Sequence, residues 1–180
     1  MIKNRIVQGG LILSLVILLI FIVAAPVLAY SYAGVRWSAN YASYDVSGIS
    51  NASWRTAIHN AAATWTNAGA NFFFYSSSSS SNDWGTINLG NVSTLARTLR
   101  YTSSGYIVEC DVQFNTYYSF YTDGSDYDVE DLALHEFGHW LALNDVTLAF
   151  WKVMYQYYVW IKHDLSDDEV SGIIYIYGSD

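Results

Sequence analysis

Cysteine is nearly missing from this chain: Cys110 stands alone. One thiol cannot close an intramolecular disulfide, so a cystine-stapled scaffold is excluded and stability must come from packing, with or without a metal. Basic residues are scarce too. The 8 Lys and Arg face 16 Asp and Glu, for a formal charge of −8, and they form no cluster able to neutralise a phosphate backbone. Nucleic acid is not an expected partner. Methionine is limited to Met1 and Met154, and histidine to His59, His135, His139 and His163. What is abundant is apolar and aromatic: 52% of the 180 residues are hydrophobic, with 16 Tyr and 7 Trp. That composition excludes a disordered chain and is enough for one domain with a sizeable core.

Part of the apolar content lies at the start. Lys3 and Arg5 precede an apolar run from Leu11 to Ala25, followed by Pro26 and a Val27-Leu-Ala29 boundary before the polar Tyr30-Ser31. This is the order of a secretory signal, with small or neutral residues at the cleavage site, so residues 1–29 read as a signal peptide and residues 30–180 as an exported domain. The competing reading is an uncleaved anchor, because the run from Gly9 to Ala29 is just long enough to span a bilayer; only then would a membrane be a partner. Loss of Lys3 and Arg5 would take the formal charge from −8 to −10.

Within the domain, Val35-Arg-Trp37 reads as a short strand. Trp54, Ile58, Ala61, Ala62 and Trp65 then recur at helical spacing after N-cap candidates in Ser50–Ser53, and Asn67-Ala-Gly69 ends the helix. Asn71–Tyr75, Thr86–Leu89, Thr94–Tyr101 and Tyr106–Phe114 are further strands, with six serines (Ser76–Ser81) as a solvated loop and Thr102–Gly105 as a turn. On the Tyr106–Phe114 strand, Cys110 alternates with Val108, Val112 and Phe114, which predicts a core cysteine. Asp128 and Asp131 form an N-cap pair ahead of another helix, a reading preferred over a calcium site although Ca2+ stays open. Ser166 and the acidic Asp167, Asp168 and Glu169 open a last helix. There are no internal repeats.

The helix after Asp128 contains His135-Glu-Phe-Gly-His139, the pattern H-E-x-x-H. Four residues of helix advance about 400°, so both imidazoles leave one face a turn apart and can meet one zinc ion at about 2.0–2.1 Å. Glu136 is offset by about 100° and stands beside the metal, where a base belongs. Zinc acidifies a bound water; the carboxylate takes its proton and passes it to the leaving amine of a peptide bond. Leu132, Leu134, Phe137, Trp140, Leu141 and Leu143 make this helix apolar almost all round. Two histidines and a glutamate buried there need a partner, and zinc is the simplest one.

Six residues past His139 stands Asp145, completing H-E-x-x-H-x-x-x-x-x-D. This resembles the spacing at which metzincin proteases place a third zinc ligand, usually histidine. A carboxylate is chemically adequate there, though its charge makes the zinc a weaker Lewis acid. Ala142 stands where the family has a glycine that turns the chain out of the helix. Further along, Met154-Tyr155 resembles the matrixin Met-turn, and Leu165–Gly178 is similar to the closing matrixin helix. Leu95-Ala96 resembles the upper-rim strand, and Asp111-Val-Gln-Phe114 the strand that enters the active-site helix. The chain is thus identified as a matrixin-like metzincin over about residues 33–178.

The resemblance implies an α+β zincin-like fold: a twisted, mostly parallel five-stranded sheet with an antiparallel edge strand, packed with an active-site helix and a C-terminal helix. It implies a secreted zinc endopeptidase with one catalytic Zn2+ held by His135, His139 and Asp145, and Glu136 as base. Neither His59 nor His163 supplies the family's second zinc, and no cysteine ahead of the domain offers the cysteine-switch mode of latency. An extended polypeptide substrate would pair with the strand carrying Leu95 and Ala96. A pocket behind the zinc would be walled by Tyr155-Gln-Tyr157-Tyr-Val-Trp160, apolar if those aromatics line it and absent if they are core; the first case predicts an apolar residue just after the cut. Two rivals stand beside this reading. One is a thermolysin-like protease with Glu169 as third ligand, the other a surface binding module that keeps the zinc fold without turnover.

Overall fold

The computed structural model describes residues 30–180, so the proposed leader lies outside the described residues. In chain order the elements are β1 (Ser31–Tyr32), β2 (Arg36–Trp37), β3 (Tyr41–Tyr44), α1 (Ala52–Thr66), β4 (Phe73–Ser76), β5 (Trp84–Ile87), β6 (Ala96–Ser103), β7 (Tyr106–Asn115), α2 (Val129–Trp140), β8 (Leu143–Asn144) and α3 (Asp167–Tyr177). Among the described residues no helix is long and apolar enough to cross a membrane.

The α+β expectation holds. Strand β7 is central: β2 and β5 pair with it in parallel and β6 antiparallel. Strands β3 and β4 form a parallel pair that joins β5 through the Asp45–Asp83 bridge. Asn82 stitches this seam, since its side chain donates to the Ser43 carbonyl at 2.8 Å and accepts from the Cys110 N–H at 2.9 Å. Strand β3 was not legible in advance. Its inward residues are Ala42 and Tyr44 and its outward ones Tyr41 and Ser43, so alternation there carries little hydrophobic contrast.

Cys110 is buried, with Val112 and Phe114 on the same face. Val108 is a correction: it is 54% exposed, and Ile107 takes the inward position instead. The pairing slips between Tyr101 and Thr102, which leaves Val108 as the extra residue of a β-bulge. A bulge reverses the alternation beyond it.

Helices α1 and α2 cover one face of the sheet. Asn51 caps α1 by accepting from the N–H groups of Ser53 and Trp54, and Trp65 ties it to α2 through an indole bond to the Leu134 carbonyl at 2.8 Å. Phe137, Trp84, Phe74 and Trp140 pack edge and face between α2 and the sheet, with Trp84 and Phe137 centroids 4.7 Å apart. Burying such rings contributes about 2–3 kcal/mol each, and this cluster is what fixes the roll of α2 about its axis.

Candidate functional site

Helix α2 begins at Asp128, whose Oδ1 accepts from the N–H groups of Glu130 (2.9 Å) and Asp131 (3.0 Å). At its other end, carbonyls left over by the helix are taken up by side chains: Trp37 donates to the Trp140 carbonyl and Arg100 to that of His139, both at 2.9 Å. The helix is therefore held at both ends, with His135 and His139 on the face turned away from the aromatic core.

After Leu141 the chain turns sharply at Ala142, which adopts φ 66°. An alanine thus accepts the left-handed conformation that glycine would take without strain, at a cost of about 1–2 kcal/mol. The turn brings the Leu143 carbonyl back under His139, whose Nδ1 donates to it at 2.9 Å. His135 Nδ1 likewise donates to the Val153 carbonyl at 2.8 Å. A carbonyl can only accept, so each ring in its neutral form carries the proton on Nδ1 and presents the Nε2 lone pair.

Asp145 lies where those lone pairs meet. Its Oδ1 is 3.1 Å from His135 Nε2 and 3.6 Å from His139 Nε2. A tetrahedral ion with arms of about 2.05 Å separates its ligand atoms by about 3.3 Å, so these distances are the edges of a metal-sized tetrahedron. The three side chains are close enough to hold one metal ion, and their donor set of two imidazoles and a carboxylate suits zinc. Without a metal, His135 Nε2 takes up a second proton and donates it to Asp145: burial disfavours the charged form, but the Asp145 hydrogen bond, the Glu136 charge and the Val153 carbonyl outweigh it and raise its pKa to about 9, and a bound metal ion would displace that proton. The His135 bond in turn holds Asp145 below the usual carboxylate range.

The strap after Asp145 is pinned to a second turn. Val146 N–H donates to the Met154 carbonyl at 2.8 Å, and Gln156 N–H to the Val146 carbonyl at 3.1 Å. Lys152 to Tyr155 closes a β-turn with a 3.3 Å backbone bond, and buried Met154 sits in it beneath α2. Glu169 serves this turn. One carboxylate oxygen accepts from the Met154 N–H at 3.2 Å, and the other from Ser166 in the capping box that opens α3. With both oxygens so engaged, Glu169 does not reach the histidines, which removes the geometric basis of the thermolysin-like alternative.

Glu136 is buried, 4% exposed, and its Oε2 accepts from the Thr98 hydroxyl at 2.6 Å. Thr98 was missed in the sequence, since nothing local marks a threonine on β6 as facing a helix one sheet edge away. Leu95, Ala96, Tyr155 and Tyr157 all line a cavity of about 580 Å³ that also takes in His135, Glu136, His139 and Asp145. The post-turn aromatics thus border the cleft, and Tyr157 is 59% exposed. The same cavity is lined by Leu132 and Val153 and by Asp131 and Lys162, two charged side chains the sequence reading did not place there. Burial raises Asp131 to about 6 against the pull of Lys162 and His135.

The other histidines are elsewhere. His59 Nδ1 is 2.7 Å from the Tyr44 hydroxyl, and His163 Nε2 is 3.0 Å from Asp128 Oδ1. In the loop before α2, the Asp123 carboxylate is taken up by Ser125. Among the described residues, the cluster of ionisable side chains with converging ligand atoms is that of His135, His139 and Asp145.

No curated protein sequence matches this chain. The family model described as Matrixin, which represents zinc-dependent endopeptidases acting on peptides, matches residues 36–178. With most of its length matched, and its helix, Met-bearing turn and closing helix arranged about one cleft, the chain belongs to the matrixin family.

Proposed function

We propose that this chain is an exported zinc endopeptidase in which His135, His139 and Asp145 hold the catalytic zinc and Glu136 is the base. The observation that carries the reading is the direction of the two imidazoles. Both Nδ1 protons are spent on backbone carbonyls, so both Nε2 lone pairs are committed to the point Asp145 also reaches. Outer hydrogen bonds of this kind fix ring orientation at metal centres.

Zinc bound there supplies Lewis acidity and lowers the pKa of a coordinated water. The residues of the chain do the rest. Glu136, oriented by Thr98, takes a proton from the attacking water and returns it to the amine nitrogen as the peptide bond breaks. The free long edge of β6, where Leu95 and Ala96 border the cavity, offers main-chain groups to an extended substrate. Tyr155 and Tyr157 border the same cavity and offer aromatic surface to the substrate. Residues 30–180 are the working domain, with residues 1–29 directing export.

The test is metal content together with cleavage of unfolded peptides, for wild type and Glu136→Gln. The reading expects about one zinc per chain in both proteins and cleavage by wild type alone, with kcat reduced by more than about 100-fold in the variant. Zinc bound by both without cleavage by either supports a binding module instead.

A further inference from the structure

The cavity that takes in the histidines is also lined by a side chain whose hydrogen-bonding capacity is largely unspent. Lys162 is 9% exposed and still lines the cavity. An ammonium has three donors. Among the described residues that of Lys162 has one acceptor, the Trp160 carbonyl at 3.2 Å, and lies 5.9 Å over the Trp160 ring. Among the described residues no carboxylate is within ion-pair distance of it. Asp131, 4% exposed and one helical turn before His135, lines the same cavity. The walls between are apolar or fixed: Leu132, Val153, and Tyr158, whose hydroxyl is locked between the Asp128 N–H and the Asp126 carbonyl.

A side chain entering from the cleft therefore meets apolar walls together with one strong donor and one strong acceptor. Leucine would close Lys162 off from solvent and give it nothing in return, which is costly for a buried charge. A carboxylate would answer Lys162 but meet the Asp131 charge; an ammonium would meet the reverse difficulty. A carboxamide answers both, its oxygen accepting from Lys162 and its NH2 donating to Asp131. Asp131 lies one helical turn, about 5.4 Å, beyond His135, which suits glutamine better than the shorter asparagine.

We propose that Lys162 and Asp131 make this cavity a specificity pocket for glutamine bordering the scissile bond, rather than for the apolar residue the aromatic segment alone predicts. The inference rests on the endopeptidase reading above. Pockets built to hydrogen-bond a substrate group discriminate strongly against analogues that lack it.

The experiment measures kcat/KM of the zinc-loaded protein on peptides carrying glutamine, glutamate, leucine or lysine at each residue bordering the cut. Wild type is expected to favour glutamine over leucine by about tenfold at one of the two positions. Lys162→Met, close in volume, should reverse that ratio, and Lys162→Arg should keep glutamine ahead; thermal melting shows whether each variant is folded. A wild-type preference for leucine, glutamate or lysine overturns the proposal, as does a folded Lys162→Met with an unchanged ratio. If Lys162→Met does not fold, the ratios for wild type and Lys162→Arg decide. Cleavage with the wrong preference leaves the endopeptidase reading standing, whereas no cleavage of any peptide by wild type removes both.

Discussion

Gly138 of the zinc-motif helix and Met154 of the turn below it touch so closely that a methyl group on Gly138 would overlap the Met154 sulfur and come within 3.2 Å of the Trp65 ring. The unspecified fourth position of H-E-x-x-H is thus not free in this protein. A residue with no side chain is needed there so that the turn carrying Val153 can rise to the helix and its carbonyl can reach His135. Gly138→Ala is expected to cost about 1–3 kcal/mol by overpacking. Truncating the other partner should recover part of that loss, so urea midpoints of Gly138→Ala, Met154→Ala and the double variant should show a favourable coupling of about 1 kcal/mol. Strict additivity would mean the two do not press on each other.

Ala142 adopts φ 66° in a buried turn. Relief of left-handed strain in Ala142→Gly is offset by backbone entropy and a lost methyl, so its stability should lie within about 1 kcal/mol of wild type. Ala142→Val places a β-branched residue where the backbone excludes it and should cost more than about 2 kcal/mol. Denaturant titration of the three proteins checks the order.

Asp145 and Glu169 are both acids downstream of the motif, with opposite expected roles. Asp145→Ala should weaken zinc binding by more than about 100-fold and cost the zinc-free fold no more than about 1 kcal/mol through the lost His135 bond, because that side chain is 50% exposed. Glu169→Ala should cost about 2–4 kcal/mol, since it breaks a capping box and strands the buried Met154 N–H, yet folded protein should still bind zinc. Zinc titration beside thermal melting separates the two.

Thr98 donates to Glu136 across 2.6 Å. Thr98→Val keeps the shape and removes the donor. Zinc content should be unchanged and kcat should fall by about 10-fold with little effect on KM, because the change disorients the base without touching the substrate. A change in KM alone would show that Thr98 acts on substrate instead.

Asp131 titrates at about 6 in the fold, raised by burial, against about 3.9 in the unfolded chain. A raised carboxyl pKa means the folded state resists ionisation, so its contribution to stability is complete below about pH 4 and is lost as pH rises through about 6. Asp131→Asn does not titrate. In the zinc-free protein its stability relative to wild type should improve by about 1–2 kcal/mol between pH 4.5 and pH 7.5, measured by chemical denaturation. A relative stability that falls over that interval would show that Asp131 is held as a carboxylate.

The sequence by itself determined the pieces whose physics is local. Helical periodicity from Trp54 to Trp65 placed α1, Asp128 and Ser166 announced the caps of α2 and α3, and the four-residue spacing of His135 and His139 put two imidazoles on one face. Spacing to Asp145 and the solitary Met154 extended this to the family. Tertiary structure decided everything that depends on distant chain segments meeting. Only the fold showed that Glu169 reaches the Met154 turn from its cap, that Thr98 reaches Glu136 from β6, that Val108 is expelled by a bulge, and that Lys162 and Asp131 line the cavity. The physical reason is that periodicity and capping act over a few residues of one chain segment, whereas hydrogen bonds across a cleft depend on how separate elements are packed, which no local pattern encodes.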